Sequence, residues 1–546
     1  MNGKYYYMDH AATEPLCEEA LEAMIPYLKD SFGNASAVYA LGLTARKAVE
    51  DSRKKTARLI GAETSELYFT SGGSESNNWA LLKGAEAGWI RLAESNRHAG
   101  SDSEETRKIR GHIITDAIEH QTVLRTCAFL EKEGYDITYI KPNAEGRIAP
   151  EEIMRAVRPD TVLVSVMTAN NEIGTVEPVQ EIGMRLKEYE HSGGQKILFH
   201  TDAVQAVGHI PIDVSRLGVD LLSASAHKFS GPKGVGFLYM KKGTKLPSLI
   251  HGGEQEEGKR AGTENVAGIV GCARAAEISC EQMESWAAAE TKVRDHLIRR
   301  LISEIPYTTL NGDRKNRLPN NVNICFRFVE GEPLLLLLGQ KLIYASSGSA
   351  CMSGSLAPSH VLLAIGVSHE DAYGSLRLTI GPETTIEDAD YAVNEIKTAV
   401  AHLRERSPLY RQVCKKSGGQ LSMELVLSDF QSVLFFVVEL CVGLLEILGV
   451  IVLVATAAKC FMRWLRHEIG IKLDLAQGTA LALEFKMGGE VLRTVVVREW
   501  SELGILGAII VLRGLLAFLI HWEINNEKKD LLEESNQGEK KPQEVG

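Results

Sequence analysis

Residues 219–234 read VDLLSASAHKFSGPKG, and this stretch decides the fold of most of the chain. It opens on an apolar strand at residues 219–222 and continues into a loop of small residues and glycines that carries Lys228. An earlier apolar strand, residues 196–201, ends at Asp202. Because ligands of parallel sheets bind beyond the carboxyl ends of the strands, we expect Lys228 and Asp202 to face one pocket.

A lysine and a carboxylate in this arrangement suit pyridoxal phosphate. The lysine amine can hold this cofactor as a Schiff base, and the carboxylate can keep its pyridine nitrogen protonated, which makes the ring an electron sink. Each residue alone has an ordinary explanation, namely a surface lysine in a glycine-rich loop and an aspartate that caps a helix. The joint pattern favours the cofactor site.

Other predicted strand ends have the same character. Residues 69–77, FTSGGSESN, combine a strand end, a Gly-Gly turn and a helix start, which offers backbone N–H groups and a positive helix end to a phosphate. His120 follows a predicted strand and could stack on a cofactor ring, although a single loop histidine is more often solvated. Asn171 and Gln205 also lie just beyond predicted strands.

Together these motifs resemble those of the cysteine desulfurases of the NifS/IscS group, which belong to aminotransferase class V. The resemblance runs from about residue 6 to about residue 410, and its motifs follow one another in the same order as in the family. It is carried by TSGGSES at 70–76, NNEIG at 170–174, DAVQ at 202–205, SAHK at 225–228 and RAGTEN at 260–265.

The resemblance implies pyridoxal phosphate as the cofactor and gives each site residue a role. The phosphate would be bound by Gly73, Ser74 and His227, and the ring would be stacked on by His120. Asn171 and Gln205 would contact the cofactor near its phenolic oxygen, and Asp202 would contact its pyridine nitrogen. Lys228 would be the Schiff-base lysine, and Ser225 would also contact the cofactor. Thr263 would reach the phosphate of the neighbouring subunit, which implies a homodimer with shared active sites.

Residues 346–354, SSGSACMSG, surround Cys351 with small and hydroxyl side chains and predict a loop, not a core element. A thiolate there can attack a substrate sulfur, although a structural free cysteine is an equal alternative from the loop alone. The segment resembles that of the desulfurases with a long loop, in which Cys351 would pass its persulfide to scaffold and acceptor proteins and could be a transient iron–sulfur ligand. No resident metal ion is expected.

The segment SLRLTIG at 375–381 resembles the family segment whose arginine pairs the substrate carboxylate. Arg377 would therefore bind the carboxylate of L-cysteine through a bidentate guanidinium, with Asn171 as a further substrate contact. Lys228, Cys351 and His120 are the residues expected to take part in catalysis.

Composition agrees with an intracellular enzyme. The chain has 546 residues, a net charge of −11 and no basic stripe, which argues against a nucleic-acid surface. Its nine cysteines form no CxxC pair or zinc spacing, as expected in a reducing compartment. No signal peptide is visible at the start, where YMDHAAT at 7–13 is typical of the family.

Strand-like and helical patterns alternate between residues 64 and 240, which predicts an α/β fold with a mainly parallel sheet. By resemblance this is fold type I of the pyridoxal phosphate enzymes, with a sheet of the seven-stranded type. Residues 1–265 are the predicted large cofactor-binding domain, whose N-terminal segment also contributes to the small domain. Residues 266–412 are the predicted small α+β domain with the cysteine loop.

The chain then changes character. We predict a linker at 413–422, a helical membrane module at 423–525 and a polar disordered tail at 526–546. Residues 433–458 carry only Glu439 and Glu446 as charges and are long enough to span a bilayer core of about 30 Å. The alternative is a buried helical hairpin of a soluble domain.

Two more segments of the tail bear on the membrane prediction. Residues 503–520 form a second predicted span with Arg513 near its middle. Residues 473–497 are ambiguous and form either a third, polar helix inside a bundle or an amphipathic helix on the surface.

The tail resembles a small family of uncharacterised bacterial membrane proteins, through ALEF at 482–485, LRTV at 492–495 and ELGIL at 502–506. Glu484, Arg493 and Arg513 could pair with one another and with the glutamates of the first span. Such pairs either form a functional site or only hold helices together.

The sequence thus predicts a pyridoxal phosphate-dependent cysteine desulfurase that converts L-cysteine to L-alanine and leaves a persulfide on Cys351 for iron–sulfur clusters or thiolated cofactors. We expect a homodimer on the bacterial cell membrane, with the catalytic domain in the cytoplasm. Alternatives are a selenocysteine lyase or another class V lyase. An alternative hypothesis of a different functional class is a membrane transport or anchoring protein with an attached sulfur-handling domain.

Overall fold

The computed structural model describes residues 4–98, 110–347, 358–417, 423–467 and 471–494, with 511–512, 514–516, 518–522 and 524–525. The chain divides into two compact units, Met1–Cys414 and Lys415–Gly546. Cys351 and most of the predicted second span, 503–520, lie outside the described residues.

The first unit holds all the described strands: β1 (Tyr6–Tyr7), β2 (Leu67–Thr70), β3 (His112–Asp116), β4 (Asp136–Ile140), β5 (Thr161–Ser165), β6 (Leu198–Asp202), β7 (Leu221–Ser225), β8 (Gly236–Met240), β9 (Thr308–Leu310), β10 (Asn321–Phe326), β11 (Ile343–Tyr344) and β12 (Ser375–Thr379). Its helices are α1 (Glu18–Lys29), α2 (Ala40–Leu59), α3 (Gly73–His98), α4 (Gln121–Lys132), α5 (Pro150–Ala156), α6 (Val179–His191), α7 (Val214–Leu217), α8 (Val266–Glu304), α9 (Gly331–Gln340), α10 (His360–Ala364), α11 (His369–Tyr373) and α12 (Ile386–Arg406). Helix α13 (Pro408–Ser417) crosses into the second unit, which contains α14 (Met423–Leu465) and α15 (Ile471–Thr494).

A seven-stranded sheet forms the centre of the first unit, in the order β2-β8-β7-β6-β5-β3-β4. Strand β8 is antiparallel to both of its neighbours, and the other neighbouring pairs are parallel. The prediction of a mainly parallel α/β sheet is therefore confirmed, with β8 as the reversed strand. Because β3, β5, β6 and β7 run in one direction, the residues that follow them meet at one edge.

Apolar side chains explain why these strands lie in the middle of the sheet. Successive residues point to opposite faces of a strand, and in β5, β6 and β7 both faces are apolar. One face contributes Leu163, Leu198 and Leu221 to one buried cluster, and the other contributes Val164, Phe199 and Leu222 to a second cluster. The sheet is thus covered by apolar side chains on both of its faces.

A smaller layer lies at the end of the long helix α8. Strands β9, β10 and β12 form an antiparallel sheet in the order β12-β10-β9; helices α8 and α9 pack on it, and α12 packs on these two helices. The N-terminal strand β1 pairs in parallel with β11, so the first described residues of the chain join this layer. This layer supplies Arg377, on β12, to the site described below.

The second unit contains an antiparallel helical hairpin, because early residues of α14 contact late residues of α15. Glycines allow the close approach: a Cβ at Gly478 would come within 2.2 Å of Thr456, and one at Gly449 within 3.1 Å of the Ala482 carbonyl oxygen. Among the described residues, one stretch, Leu440–Leu465, has the length and apolar composition of a membrane-crossing helix, which by itself is weak evidence.

Three predictions or features of the tail can be compared with the structure. The predicted linker at 413–422 begins inside α13, which continues to Ser417. The predicted intramembrane pairs involve Glu439, Arg493 and Arg513, whose side chains lie outside the described residues. An ion pair that the sequence did not predict joins Arg463 and Lys459 to Asp474 at the turn of the hairpin.

Candidate active site

A cavity of 260 Å³ opens where β3, β5, β6 and β7 end. Its lining brings together most of the site residues predicted from sequence: Gly73, Ser74, His120, Asn171, Asp202, Gln205, Ser225, His227, Lys228 and Arg377. Thr263 lies elsewhere, exposed at a separate depression beside Phe69 and Arg260. The structure does not place Cys351, which lies outside the described residues.

Asp202 is the last residue of β6 and is 5% exposed. Its Oδ2 accepts a hydrogen bond of 2.6 Å from Asn77 Nδ2, and its Oδ1 accepts one of 2.9 Å from the Val204 N–H. Asn77 Nδ2 also donates to Thr122 Oγ1 at 2.9 Å. Donors to both oxygens fix the carboxylate in the cavity wall, where it can meet a positively charged ring nitrogen.

Lys228 follows β7 and extends across the cavity to the N-terminal segment. Its Nζ donates to the Ala12 carbonyl oxygen at 2.8 Å and to the Ala11 carbonyl oxygen. Gln205 Nε2 donates to the same Ala11 oxygen at 3.0 Å. The main chain at Lys228 is held from behind, since its carbonyl oxygen lies 2.8 Å from His209 Nε2.

The start of α3 is shaped for an anion. Helix α3 begins at Gly73, directly after the Gly72 turn, and its first N–H groups have no partner inside the helix. A Cβ on Gly73 would come within 2.6 Å of Val204 Cγ2, so a larger residue here would require the Val204 side chain to shift.

Two histidines in the cavity are held uncharged. Burial, with help from Lys228 and Lys233, lowers the pKa of His227 to about 4, and its Nδ1 lies 3.1 Å from Thr13 Oγ1. Burial also lowers the pKa of His120, whose Nδ1 accepts from the Thr122 N–H at 3.2 Å. The proton of the neutral His120 ring is therefore on Nε2, and a neutral ring can stack on an aromatic cofactor without a desolvation cost.

Arg377 is 3% exposed and lies in the middle of β12. Its Nη1 donates to the Asn171 carbonyl oxygen at 3.0 Å, and its Nη2 donates to Asp9 Oδ1 at 2.8 Å. The other oxygen of Asp9 accepts from Ser346 Oγ at 2.9 Å. The guanidinium thus lies at the cavity wall, and its Nη2 is already hydrogen-bonded to the Asp9 carboxylate.

Two buried carboxyl groups lie behind the cavity, at the end of β3. Burial, reinforced by the charge of Asp202, raises the pKa of Asp116 to about 7, and burial also raises the pKa of Glu119. Both side chains have no exposed surface. Both groups therefore hold a proton more readily than ordinary carboxyl groups do.

Sequence reasoning missed Asp9, Asn77, Thr122 and the carbonyl groups of Ala11 and Ala12 as parts of the site. A signal was present for the N-terminal residues, because YMDHAAT at 7–13 is typical of the family. No local pattern marked Asn77, which is an ordinary polar position in the first turns of a helix.

These observations fit pyridoxal phosphate. A buried carboxylate, a lysine amine, a neutral histidine and the N-terminus of helix α3 border one cavity. Together with the mixed seven-stranded sheet, they define a lysine-dependent pyridoxal phosphate enzyme of fold type I. The chain belongs to the aminotransferase class-V family, whose model matches residues 6–392.

Within that family, known proteins are similar over nearly their whole length. The cysteine desulfurase IscS of Methanosarcina thermophila is 50% identical over 406 residues, which cover 74% of this chain and 94% of the relative. A solved structure of a NifS-like protein superposes with a TM-score of 0.64 at 36% identity and covers 73% of this chain and 100% of that one. The structure titled SspA in complex with cysteine has a TM-score of 0.58 at 36% identity, with 70% and 100% covered.

The tail has a match of its own. Residues 449–524 match a family described as a protein of unknown function, DUF1622. The resemblance of residues 6–410 to the cysteine desulfurases and the resemblance of the tail to an uncharacterised family are therefore both confirmed.

Proposed function

We propose that the first unit is a pyridoxal phosphate-dependent cysteine desulfurase. It converts L-cysteine to L-alanine and keeps the sulfur as a persulfide on Cys351 for iron–sulfur cluster or thiocofactor synthesis. The observation that carries the proposal is the meeting of Lys228, Asp202 and Arg377 around one cavity, although they come from three different strands or strand ends.

Pyridoxal phosphate, when bound, supplies the electron sink that stabilises negative charge at the substrate's α-carbon. The N–H groups of Gly73 and Ser74, with His227, would hold its phosphate, and Asp202 would hold the proton on its pyridine nitrogen. His120 would cover its ring. Asn171, Gln205 and Ser225 complete the wall on the cavity side.

The chain's own groups position the substrate and move its protons. Arg377 binds the substrate carboxylate, because a planar guanidinium matches a carboxylate in shape and charge. Asn171 helps to keep the guanidinium in place through its carbonyl oxygen, at 3.0 Å. The Lys228 amine, once free, removes the proton from the α-carbon.

Cys351 receives the sulfur. Its thiolate attacks the sulfur of the substrate, a sulfur–sulfur bond forms, and the bond between that sulfur and the β-carbon breaks. The electron pair of the broken bond stays with the β-carbon, which takes up a proton, and the α-carbon regains the proton that Lys228 removed, which gives L-alanine. A thiolate is required because the neutral thiol is a poor nucleophile.

Two features of the surface support a homodimer. Thr263 is exposed at a depression of its own, where it can reach a neighbouring subunit. Large apolar side chains near the N-terminus are also exposed: Phe32 is 70%, Val38 is 85% and Tyr39 is 60% accessible. A second copy of the chain would cover such a surface.

The second unit would hold the enzyme on the cytoplasmic face of a bacterial cell membrane. Support comes from α14, where Leu440, Ile447 and Val454 are among many exposed apolar side chains. Burial in lipid removes this apolar surface from water. A transport role for the tail has no observation in its favour among the described residues.

Replacement of the lysine tests the catalytic proposal. Lys228→Ala protein should remain folded, lose the visible absorbance of the lysine-bound cofactor and lose release of alanine from L-cysteine by at least about a thousandfold. Lys233→Ala, five residues along the same loop, is the matched control and should keep both. If Lys228→Ala protein released alanine at the wild-type rate, the assignment would be wrong.

A further inference from the structure

Arg377 already holds a carboxylate that belongs to the chain itself. The pair of Arg377 Nη2 and Asp9 Oδ1 is 2.8 Å long, and the two side chains are 3% and 18% exposed. Nη1 is used by the Asn171 carbonyl oxygen, and Nε has no hydrogen-bond partner among the described residues. Each of Nη1 and Nη2 has a second N–H, so an incoming carboxylate either takes the edge that Asp9 occupies and replaces it, or binds another edge and meets the repulsion of the Asp9 charge.

The position of Asp9 is built into the fold. The segment around it lies beside β12: the Thr379 N–H donates to the Met8 carbonyl oxygen at 2.9 Å, the His10 N–H donates to the Thr379 carbonyl oxygen at 3.2 Å, and the Ala11 N–H donates to Thr379 Oγ1 at 2.9 Å. Arg377 is two residues from Thr379 on the same strand, so its side chain is on the same face. The ion pair is thus set by backbone register.

Ser346 fixes the other side of Asp9. Its Oγ donates to Asp9 Oδ2 at 2.9 Å, and its backbone makes two hydrogen bonds with the backbone of Arg377, of 3.2 and 2.7 Å. Asp9 therefore binds Arg377 through one oxygen only. A single charge-assisted hydrogen bond is weaker than the bidentate pair that a substrate carboxylate can form.

We propose that Asp9 is a built-in competitor for the substrate-carboxylate subsite and so determines its specificity. The Asp9 carboxylate neutralises Arg377 until a ligand that bonds elsewhere in the cavity, as an α-amino acid does, displaces it. Carboxylate anions without an amino group lack that additional bond and remain excluded. The proposal rests on the proposed function, because it takes Arg377 as the subsite for an amino-acid carboxylate.

The test compares two ligands on the full-chain holoenzyme. L-Alanine carries the carboxylate and cannot be desulfurated, whereas L-alaninamide has the same amino group and no carboxylate. Binding of each is followed by the change in visible absorbance of the cofactor, and the ratio of the two dissociation constants is the readout. Since both ligands meet the same protein preparation, the ratio does not depend on the fraction folded.

Asp9→Asn keeps the shape of the side chain and removes its charge. It should tighten L-alanine binding by about tenfold relative to L-alaninamide, since the guanidinium is no longer neutralised. Ser346→Ala loosens Asp9 without a change of charge and should shift the ratio in the same direction by a smaller factor. Ser346→Ala therefore keeps the test decisive if Asp9→Asn protein does not fold.

The control removes a carboxylate from an arginine elsewhere. Asp371 pairs with Arg327 at 3.1 Å and lines no part of the cavity, so Asp371→Asn should leave the ratio unchanged. The competitor role alone is overturned under two conditions. Wild-type protein binds L-alanine, and in both Asp9→Asn and Ser346→Ala protein the ratio of dissociation constants is unchanged or shifts in favour of L-alaninamide. If wild-type protein binds L-alanine no better than Arg377→Ala protein does, the proposed function and this inference both fail.

Discussion

His200 shows how one side chain in the sheet makes the stability of the protein depend on pH. It has no exposed surface, and its ring nitrogens lie 2.9 Å from Ser165 Oγ and 3.0 Å from Ser223 Oγ. Burial lowers the pKa of His200 to about 3. The folded protein therefore keeps this ring neutral in a pH range where the unfolded chain, with a pKa of about 6.5, binds a proton.

The sign of the effect follows from the extra proton in the unfolded state. As the pH falls from about 6.5 towards 3, the unfolded state gains this proton and the folded state does not, so the folded state loses stability. The unfolding free energy of wild-type protein, measured relative to that of His200→Gln protein, should fall by about 1.4 kcal/mol for each pH unit below about pH 5.5. Urea unfolding at pH 5.5, 5.0 and 4.5 measures this slope.

A matched control for this slope lies on α6. His191 is exposed, and its Nδ1 contacts only the Lys187 carbonyl oxygen, at 2.7 Å. The difference between wild-type and His191→Gln protein should stay nearly constant over the same pH range. If the two histidine substitutions gave the same slope, a buried neutral ring at position 200 would not be the cause.

Replacement of Cys351 by serine separates cofactor binding from sulfur transfer. None of the described residues that line the cavity is a cysteine, and we expect Cys351→Ser protein to bind pyridoxal phosphate and L-cysteine normally. Formation of persulfide should fall by at least about a hundredfold, because a hydroxyl group is a far weaker nucleophile towards sulfur. Mass spectrometry of the protein after incubation with L-cysteine detects the added sulfur atom.

Cys280, exposed on α8, is the control for this substitution. Cys280→Ser protein should form the persulfide at the wild-type rate. Persulfide on Cys351→Ser protein at that rate would mean that another cysteine receives the sulfur.

At the scale of elements, one buried ion pair holds the segment between β8 and α8. Both guanidinium nitrogens Nη1 and Nη2 of Arg53, on α2, donate to Glu256, at 2.5 and 2.8 Å, and the Phe69 N–H of β2 donates to the same carboxylate at 2.9 Å. Glu256 and Glu257 have φ of 49° and 58°, in the left-handed region that side chains other than glycine rarely adopt. The ion pair holds this unfavourable backbone in place.

Glu256→Gln should therefore destabilise the first unit by about 3 kcal/mol, because it leaves the buried Arg53 charge unpaired. Lys242→Gln removes an ion pair with Glu63 that is exposed on both sides and should cost less than about 1 kcal/mol. Thermal and urea unfolding of the two variants give the comparison. A Glu256→Gln cost no larger than that of Lys242→Gln would show that the segment does not depend on the pair.

Elements with a regular pattern could be predicted from the sequence to within about three residues. The strand expected at 196–201, followed by Asp202, is Leu198–Asp202, and the strand expected at 219–222 is Leu221–Ser225. Periodicity defines such elements because each is buried on a regular face. The linker predicted at 413–422 begins within helix α13, which includes Lys415 and Lys416.

The candidate site could be predicted only where chemistry was concentrated in short motifs. Lys228, Asp202 and Gly73 stand in such motifs and border the cavity. The pair of Asp9 and Arg377 is separated by most of the first unit, and no local pattern relates two residues so far apart. The same holds for Asn77, which becomes a partner of Asp202 only because α3 lies against β6.

At the scale of the whole molecule, we expect the two units to differ in solubility. The full chain should sediment with membranes and resist extraction by high salt and carbonate, because apolar surface on α14 is lost to lipid. A truncation that ends at Arg411 should be a soluble dimer with wild-type persulfide formation, since every proposed catalytic residue precedes that point. Fractionation followed by assay of each fraction gives the answer.

Two results would contradict the tethered enzyme. The full chain could remain in the supernatant without detergent, in which case α14 would be covered by protein. The truncation could also lose activity at unchanged fold, in which case the second unit would contribute to catalysis and would be more than an anchor.

The pairing of β1 with β11 sets an order of events during synthesis. The segment that begins with Tyr6 leaves the ribosome first, yet its strand partner, Ile343–Tyr344, and the strand that carries Arg377 are made last among the parts of the site. At about 5–20 residues per second, the early segment waits for roughly 15–70 s before its partners exist. A nascent chain interrupted before that point has Lys228 but lacks Arg377, the residue proposed to bind the substrate carboxylate. We therefore expect a copy that ends before Arg377 not to release sulfur from L-cysteine.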